Sequence, residues 1–281
     1  MKTGRWTRRE ISLAAAVAMI AAGCGLVALC MGLQSSNDLT TAAFMGTFFG
    51  HASLAGGWTA LGPFRMVYRL PLSATWLAGL ILGVALGAAM SHMAPIDLLW
   101  FSGSVVTQWI LVQIPLWVLL RFRALRIGHA DDSSGRAGHQ QFGIREVMIL
   151  TMIAAAVLGI GRWLLAGVQV EESDPKWLNK LLILSLLVGA SSLATLPMLA
   201  AALLPQWTKF AICVAFLFAL FITGIEVSLF ARLPGFGGPP LSEVIAMFAS
   251  LNLVQCAWVL AFVLTLRAGG FRLISGSGNK A

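Results

Sequence analysis

A single carboxylate interrupts the apolar stretch FLFALFITGIEVSLFARL: Glu226, roughly two turns from the end of that run. Charges inside a bilayer are costly, so each one asks for a partner or a function. Glu226 has two readings. It is either a proton-coupled carboxylate or a structural group, protonated or paired with arginine, that holds two helices together. Arg162 and Arg232 are the nearest cations by depth, and Arg232 lies six residues on, about 9 Å along a helix. His51 stands among Gly50, Ser53, Gly56 and Gly57. It reads as a ligand or proton-relay imidazole, or as a neutral ring hydrogen-bonded to a carbonyl of a neighbouring helix. Four amides, Gln108, Gln113, Asn252 and Gln255, fall within two further apolar runs. They would line a polar path between helices, or tie helices together.

Other chemistries find no support in the spacing. His92, His129 and His139 fall outside the apolar runs or at their ends, and no His-x-x-x-His or Glu-x-x-His occurs. A metal or haem site is not expected. Cys24, Cys30, Cys213 and Cys256 all sit in apolar runs. Cys24 and Cys30 are about 600° apart around one helix, so they face different ways. Buried apolar thiols are the expected state. No catalytic or cofactor-binding constellation is present, and the chain reads as a non-enzyme without cofactor.

The elements that hold these groups follow from composition. Of 281 residues, 58% are hydrophobic and 11% charged, whereas soluble domains carry about 25% charged residues. The apolar residues come in blocks near the ~20 that cross a hydrocarbon core. Eight spans result: Ile11 to Leu33, Ala42 to Leu61, Leu72 to Met90, Leu98 to Leu120, Val147 to Val168, Lys176 or Trp177 to Leu204, Phe210 to Leu233, and Ser242 to Leu266. The second is the least hydrophobic. Asp174 and Pro175 would open the sixth, and Ser242 would cap the eighth. The first is too long for a signal-peptide core and has no cleavage-site pattern after it, so it reads as a retained anchor. The stretch Arg121 to Arg145, rich in Gly, Ser and charge, reads as a mobile loop.

The net charge is +8, but the basic residues alternate with spans rather than forming a patch. That excludes nucleic acid and points to the positive-inside rule. Eight spans with a cytoplasmic N-terminus put 15 of the 19 Lys and Arg residues inside. Both termini and the central stretch are then expected on the cytoplasmic side of the membrane.

The expected fold is therefore an all-α polytopic bundle: an N-terminal half (1–120), a basic cytoplasmic loop (121–146) and a C-terminal half (147–281). The halves share some spacing. Ala52-Ser53-Leu54-Ala55 answers to Ser191-Ser192-Leu193-Ala194, and Phe101 to Gln108 matches Phe248 to Gln255. This leaves open a tandem parallel repeat, one of the known transporter designs. Gly46/Gly50 and Gly79/Gly83/Gly87 form G-x-x-x-G faces, so spans two and three are expected to pack closely against neighbours. Pro115 and Pro197 fall inside spans four and six.

The segment QFGIREVMILTMIAAAVLGIGRWLL, with Trp58-Thr59-Ala60-Leu61-Gly62-Pro63 and Arg69-Leu70-Pro71-Leu72, resembles uncharacterised multi-pass membrane proteins of planctomycete bacteria. The resemblance covers under a fifth of the chain and implies a multi-pass membrane protein, with no site residues to transfer. The lipid bilayer is the expected partner, and self-association stays open. Three roles are compatible with these residues: an integral membrane protein of undefined role, a small-molecule or ion transporter, and a scaffold or sensor.

Overall fold

Runs of apolar residues too long for one strand, broken by Gly, Pro and charge, wind into helices because only a helix satisfies every backbone group within its own segment. The computed structural model describes residues 7–32, 38–62, 66–91, 95–123, 125–129, 176–203, 208–232 and 240–275. Among them are seven helices: α1 (Arg8–Gly32), α2 (Asp38–Leu61), α3 (Met66–Ser91), α4 (Pro95–Arg123), α5 (Lys176–Leu203), α6 (Thr208–Phe230) and α7 (Leu241–Ala268). Two strands, β1 (Leu125–His129) and β2 (Phe271–Ser275), follow α4 and α7. The run Val147 to Val168, with Arg162, lies outside the described residues, as do Asp174, Pro175, His92 and His139.

The molecule is a helical, membrane-type bundle. Met66–Gly87, Phe101–Val118, Ile212–Phe230 and Leu241–Ala268 are long and apolar enough to cross a membrane, and Ile11–Leu26 and Ser185–Leu199 are shorter apolar helices. Its outward side chains are apolar, as a lipid-facing surface requires: Leu82, Leu86, Leu217, Phe221 and Ile245 are all exposed.

The helix with the weakest hydropathy holds the centre. Every residue of α2 from Gly46 to Leu61 is buried, and the helix contacts α1, α3, α4, α5 and α7. Its most extensive contact is with α7, where bare glycine backbone allows close approach. A Cβ on Gly46 would come within 2.5 Å of the Leu251 carbonyl, and one on Gly50 within 3.2 Å of Trp258 Cβ. The glycines of span two thus face a neighbouring helix, as expected, and α2 touches α3 as well. The α2 glycines meet α7, while Gly79 looks toward Cys24 of α1 at 3.7 Å. Trp58 and Phe262 continue the α2–α7 contact, so these two helices run parallel.

Side-chain contacts fix the other directions. Phe48 meets Phe101 and Gly56 meets Trp109, so α4 is parallel to α2. Ser53 meets Thr195 and Gly57 meets Leu199, so α5 is parallel as well. His51 on Trp76 and Thr59 on Ser73 make α3 antiparallel to α2. Glu226 on Asn252 and Phe230 on Phe248 make α6 antiparallel to α7. Four parallel helices, α2, α4, α5 and α7, form the interior.

The architecture is not purely helical. β1 and β2 pair antiparallel, with Leu125 opposite Ser275 and His129 opposite Phe271. The stretch Arg121 to Arg145 therefore does not begin as a loop: its first three residues finish α4, and the next strand pairs with the C-terminal segment. The turn into β2 uses Gly270 at φ 87°, a left-handed conformation that favours glycine. Two helix starts also differ from expectation. Pro240, not Ser242, stands at the α7 N-cap, without a side-chain capping bond. α3 begins at Met66 and runs through Pro71, whose missing N–H leaves the Val67 carbonyl without its helical donor.

Candidate functional site

Polar groups gather where the four parallel helices meet. Ser53 of α2 lies near mid-helix, and its hydroxyl oxygen is reached from three other helices. Gln108 Nε2 of α4 donates to it at 2.7 Å and to the Phe49 carbonyl at 3.2 Å. Gln255 Nε2 of α7 lies 3.4 Å from it and donates to the Ser191 carbonyl of α5 at 3.0 Å. Thr195 Oγ1 of α5 is 3.2 Å away. All of these side chains are buried. Gln108 and Gln255, two of the amides singled out by sequence, thus converge on one hydroxyl.

Among the described residues, their oxygens have no partner. Gln108 Oε1, Gln255 Oε1 and Ser191 Oγ are buried without a hydrogen bond. Magnitudes matter here. Interhelical hydrogen bonds in membranes average about 0.6 kcal/mol, while a buried polar group left unsatisfied costs roughly 1–3 kcal/mol. As helix glue alone, amides with spare acceptors would be poor devices. As acceptors for a small donor or a cation, they are placed where one would need them. Gln113 is different: its amide turns back to the Trp109 carbonyl of its own helix at 3.0 Å.

α2 carries two further buried polar contacts, each six residues from Ser53 and so on another face of the helix. On one side Trp258 Nε1 donates to Thr47 at 3.0 Å. On the other, Thr59 donates to Ser73 at 2.6 Å and accepts from Trp109 Nε1 at 3.2 Å. At the far end of α2, Arg69 Nη1 donates to the Ala60 carbonyl at 2.7 Å, a favourable place for a cation at a helix C-terminus.

His51 is 0% exposed but stands apart from the Ser53 convergence. Its ring lies 4.8 Å from that of Trp258 and 5.8 Å from that of Trp76. The bare Cα of Gly23 on α1 closes the other side, since a Cβ there would collide with the imidazole. Among the described residues, neither ring nitrogen has a hydrogen-bond partner, so the carbonyl expected for a structural imidazole is not found there.

Glu226 points into the bundle and is 0% exposed. Its Oε2 accepts from Asn252 Nδ2 at 2.5 Å, and the same amide donates to Thr223 Oγ1 at 2.9 Å. The partner is thus a neutral amide on α7. Arg232 lies exposed beyond the helix end, and Arg162 is outside the described residues. Glu226 is one turn along α7 from the Ser53 convergence, because Asn252 and Gln255 are three residues apart.

Among the described residues, no group of three or more His, Cys, Asp or Glu could hold a metal, and Cys24, Cys213 and Cys256 are free thiols. The hydroxyls Ser53, Thr195, Ser191 and Thr223 were the part of the site that sequence did not single out as a unit. Ser and Thr are common in membrane helices and usually bond their own backbone, as Ser192 does to Val188. Only the tertiary arrangement separates the two uses. Comparison with family models, with curated proteins and with solved structures finds no match for this chain.

Proposed function

We propose that this chain is a non-enzymatic integral membrane protein that moves a small polar solute or monovalent cation through the polar seam at Ser53. The observation that carries the reading is the convergence of Gln108, Gln255 and Thr195, from three helices, on one mid-helix hydroxyl with amide oxygens left over. Neutral oxygens suit a monovalent cation or a donor-bearing solute, since a divalent ion would want carboxylates.

The same reading includes eight spans in two parallel four-helix repeats, with both termini on the cytoplasmic side of a bacterial inner membrane. Its support is geometric. Helices α4 and α5 run the same way, so the chain between them must return to the opposite end, and the apolar run Val147 to Val168 has the length for one crossing. Each proposed half also brings a glutamine to its own serine motif: Gln108 to Ser53, and Gln255 to the Ser191 carbonyl. Membership in the planctomycete group that the chain resembles belongs to this proposal too.

A scaffold or sensor is the second reading. It is favoured by the β1–β2 sheet, which joins the segment after α4 to the segment after α7 and would give a partner a fixed platform. Flux separates the two. Purified protein in liposomes should move protons, monovalent cations or small polar solutes, and Gln108→Leu or Gln255→Leu should abolish that movement while leaving the melting profile within about 1 kcal/mol of wild type. Silent liposomes across that panel, with a strongly destabilised Gln108→Leu, would favour the scaffold.

A further inference from the structure

Glu226 and Asn252 each leave one buried acceptor unused in their pair. Asn252 Nδ2 donates to Glu226 Oε2, yet among the described residues Glu226 Oε1 and Asn252 Oδ1 both lack a donor. A carboxylic acid and a primary amide can form a two-point pair. The amide N–H donates to the acid carbonyl, and the acid O–H donates to the amide oxygen. A single proton on Glu226 thus supplies the donor that both oxygens lack. No other proton placement among these groups does so: Thr223 already donates to the Ala219 carbonyl at 3.1 Å and accepts from Asn252.

Among the described residues, no countercharge faces Glu226. Helix α6 packs on α5 and α7. On α7 the titratable groups are Glu243, Cys256 and Arg267. Glu243 is exposed and about 14 Å from Asn252 along the axis, Arg267 is about 22 Å away, and Cys256 turns to the Ala194 carbonyl. On α5 they are Lys176 and Lys180. Because Gln255 is level with Ser191, Asn252 is level with Val188, and the Lys180 backbone lies about 12 Å further along the axis. On α6 itself Arg232 is exposed about 9 Å beyond Glu226, and Lys209 and Cys213 lie about 20 Å or more the other way.

We propose that Glu226 and Asn252 form a reversible single-proton site, and that this proton is the coupling ion of the transport proposed above. The carboxylate takes one proton from water and returns it to water, and no electron moves. The link to the solute seam is α7 itself, which carries Asn252 and Gln255 one turn apart on the same face. The coupling rests on the transport reading; the proton site does not.

Two measurements keep them separate. Infrared difference spectra of the reconstituted protein should show the carbonyl stretch of a protonated carboxylic acid that appears and disappears reversibly with pH. The band should vanish in Glu226→Gln and shift in Asn252→Leu. Should Glu226→Gln fail to fold, an apolar carbodiimide, which adds only to a protonated carboxyl, should label Glu226 in the wild type, as read by peptide mass. A spectrum without a titrating acid band, together with no adduct, overturns the site. In liposomes, solute flux should carry protons in the wild type and lose them in Glu226→Gln. Flux without proton movement in the wild type overturns the coupling. If no flux occurs at all, the transport reading falls while the infrared result still judges the site.

Discussion

Single residues in this interior are defined by what faces them. The sequence marked Glu226, His51 and the amides because polar side chains stand out in apolar runs, and all of them are buried. Their partners were not legible, since a partner depends on which helix lies opposite. Glu226 was expected to meet Arg162, Arg232 or a polar group on the eighth span, and among the described residues it meets Asn252 of that span. His51 shows the same limit more sharply. Nothing local foretells that Gly23, 28 residues earlier, shapes its box with Trp76 and Trp258. That box makes a prediction: Gly23→Ala should destabilise the protein by roughly 1–3 kcal/mol, as overpacking does, and His51→Ala in the same chain should restore part of the loss. Thermal melts of the two single variants and the double variant measure the coupling. Additive effects would remove Gly23 from contact with the ring.

Helices were the most legible level, for a physical reason: a lipid-facing surface demands a sustained apolar run. Helices occur where seven of the eight runs were drawn, and Val147 to Val168 lies outside the described residues. Ends drifted by several residues where local rules misled. Pro71 looked like a boundary but sits in the first turns of α3, and Ser242 looked like a cap but lies inside α7. The least hydrophobic span, α2, proved to be the innermost helix. Hydropathy reports contact with lipid, and a helix surrounded by five others has little need of it. Its glycines then matter for approach rather than for flexibility. Gly46→Ala, whose new carbon would press on the Leu251 carbonyl at 2.5 Å, should lower stability clearly. Gly79→Ala, with 3.7 Å to Cys24 Sγ, should be tolerated. Equal melting temperatures for the two variants would contradict the α2–α7 packing. The β1–β2 pair was invisible for the opposite reason, because its strands are about 140 residues apart in sequence and neither is long enough to announce itself.

At the scale of the whole molecule, four parallel helices meet at the Ser53 convergence, and antiparallel helices flank them. The central claim is that this convergence serves a solute rather than simply holding helices together. Thiol accessibility at Ser53 tests it most directly. Ser53→Cys, in a chain whose native cysteines are replaced by alanine, should react with a small water-soluble methanethiosulfonate in reconstituted membranes, although the position lies at mid-helix and is 0% exposed. The reaction should slow when a transported solute is present. A Ser53→Cys protein that folds and yet stays unmodified by the reagent from both sides of the membrane would contradict the account.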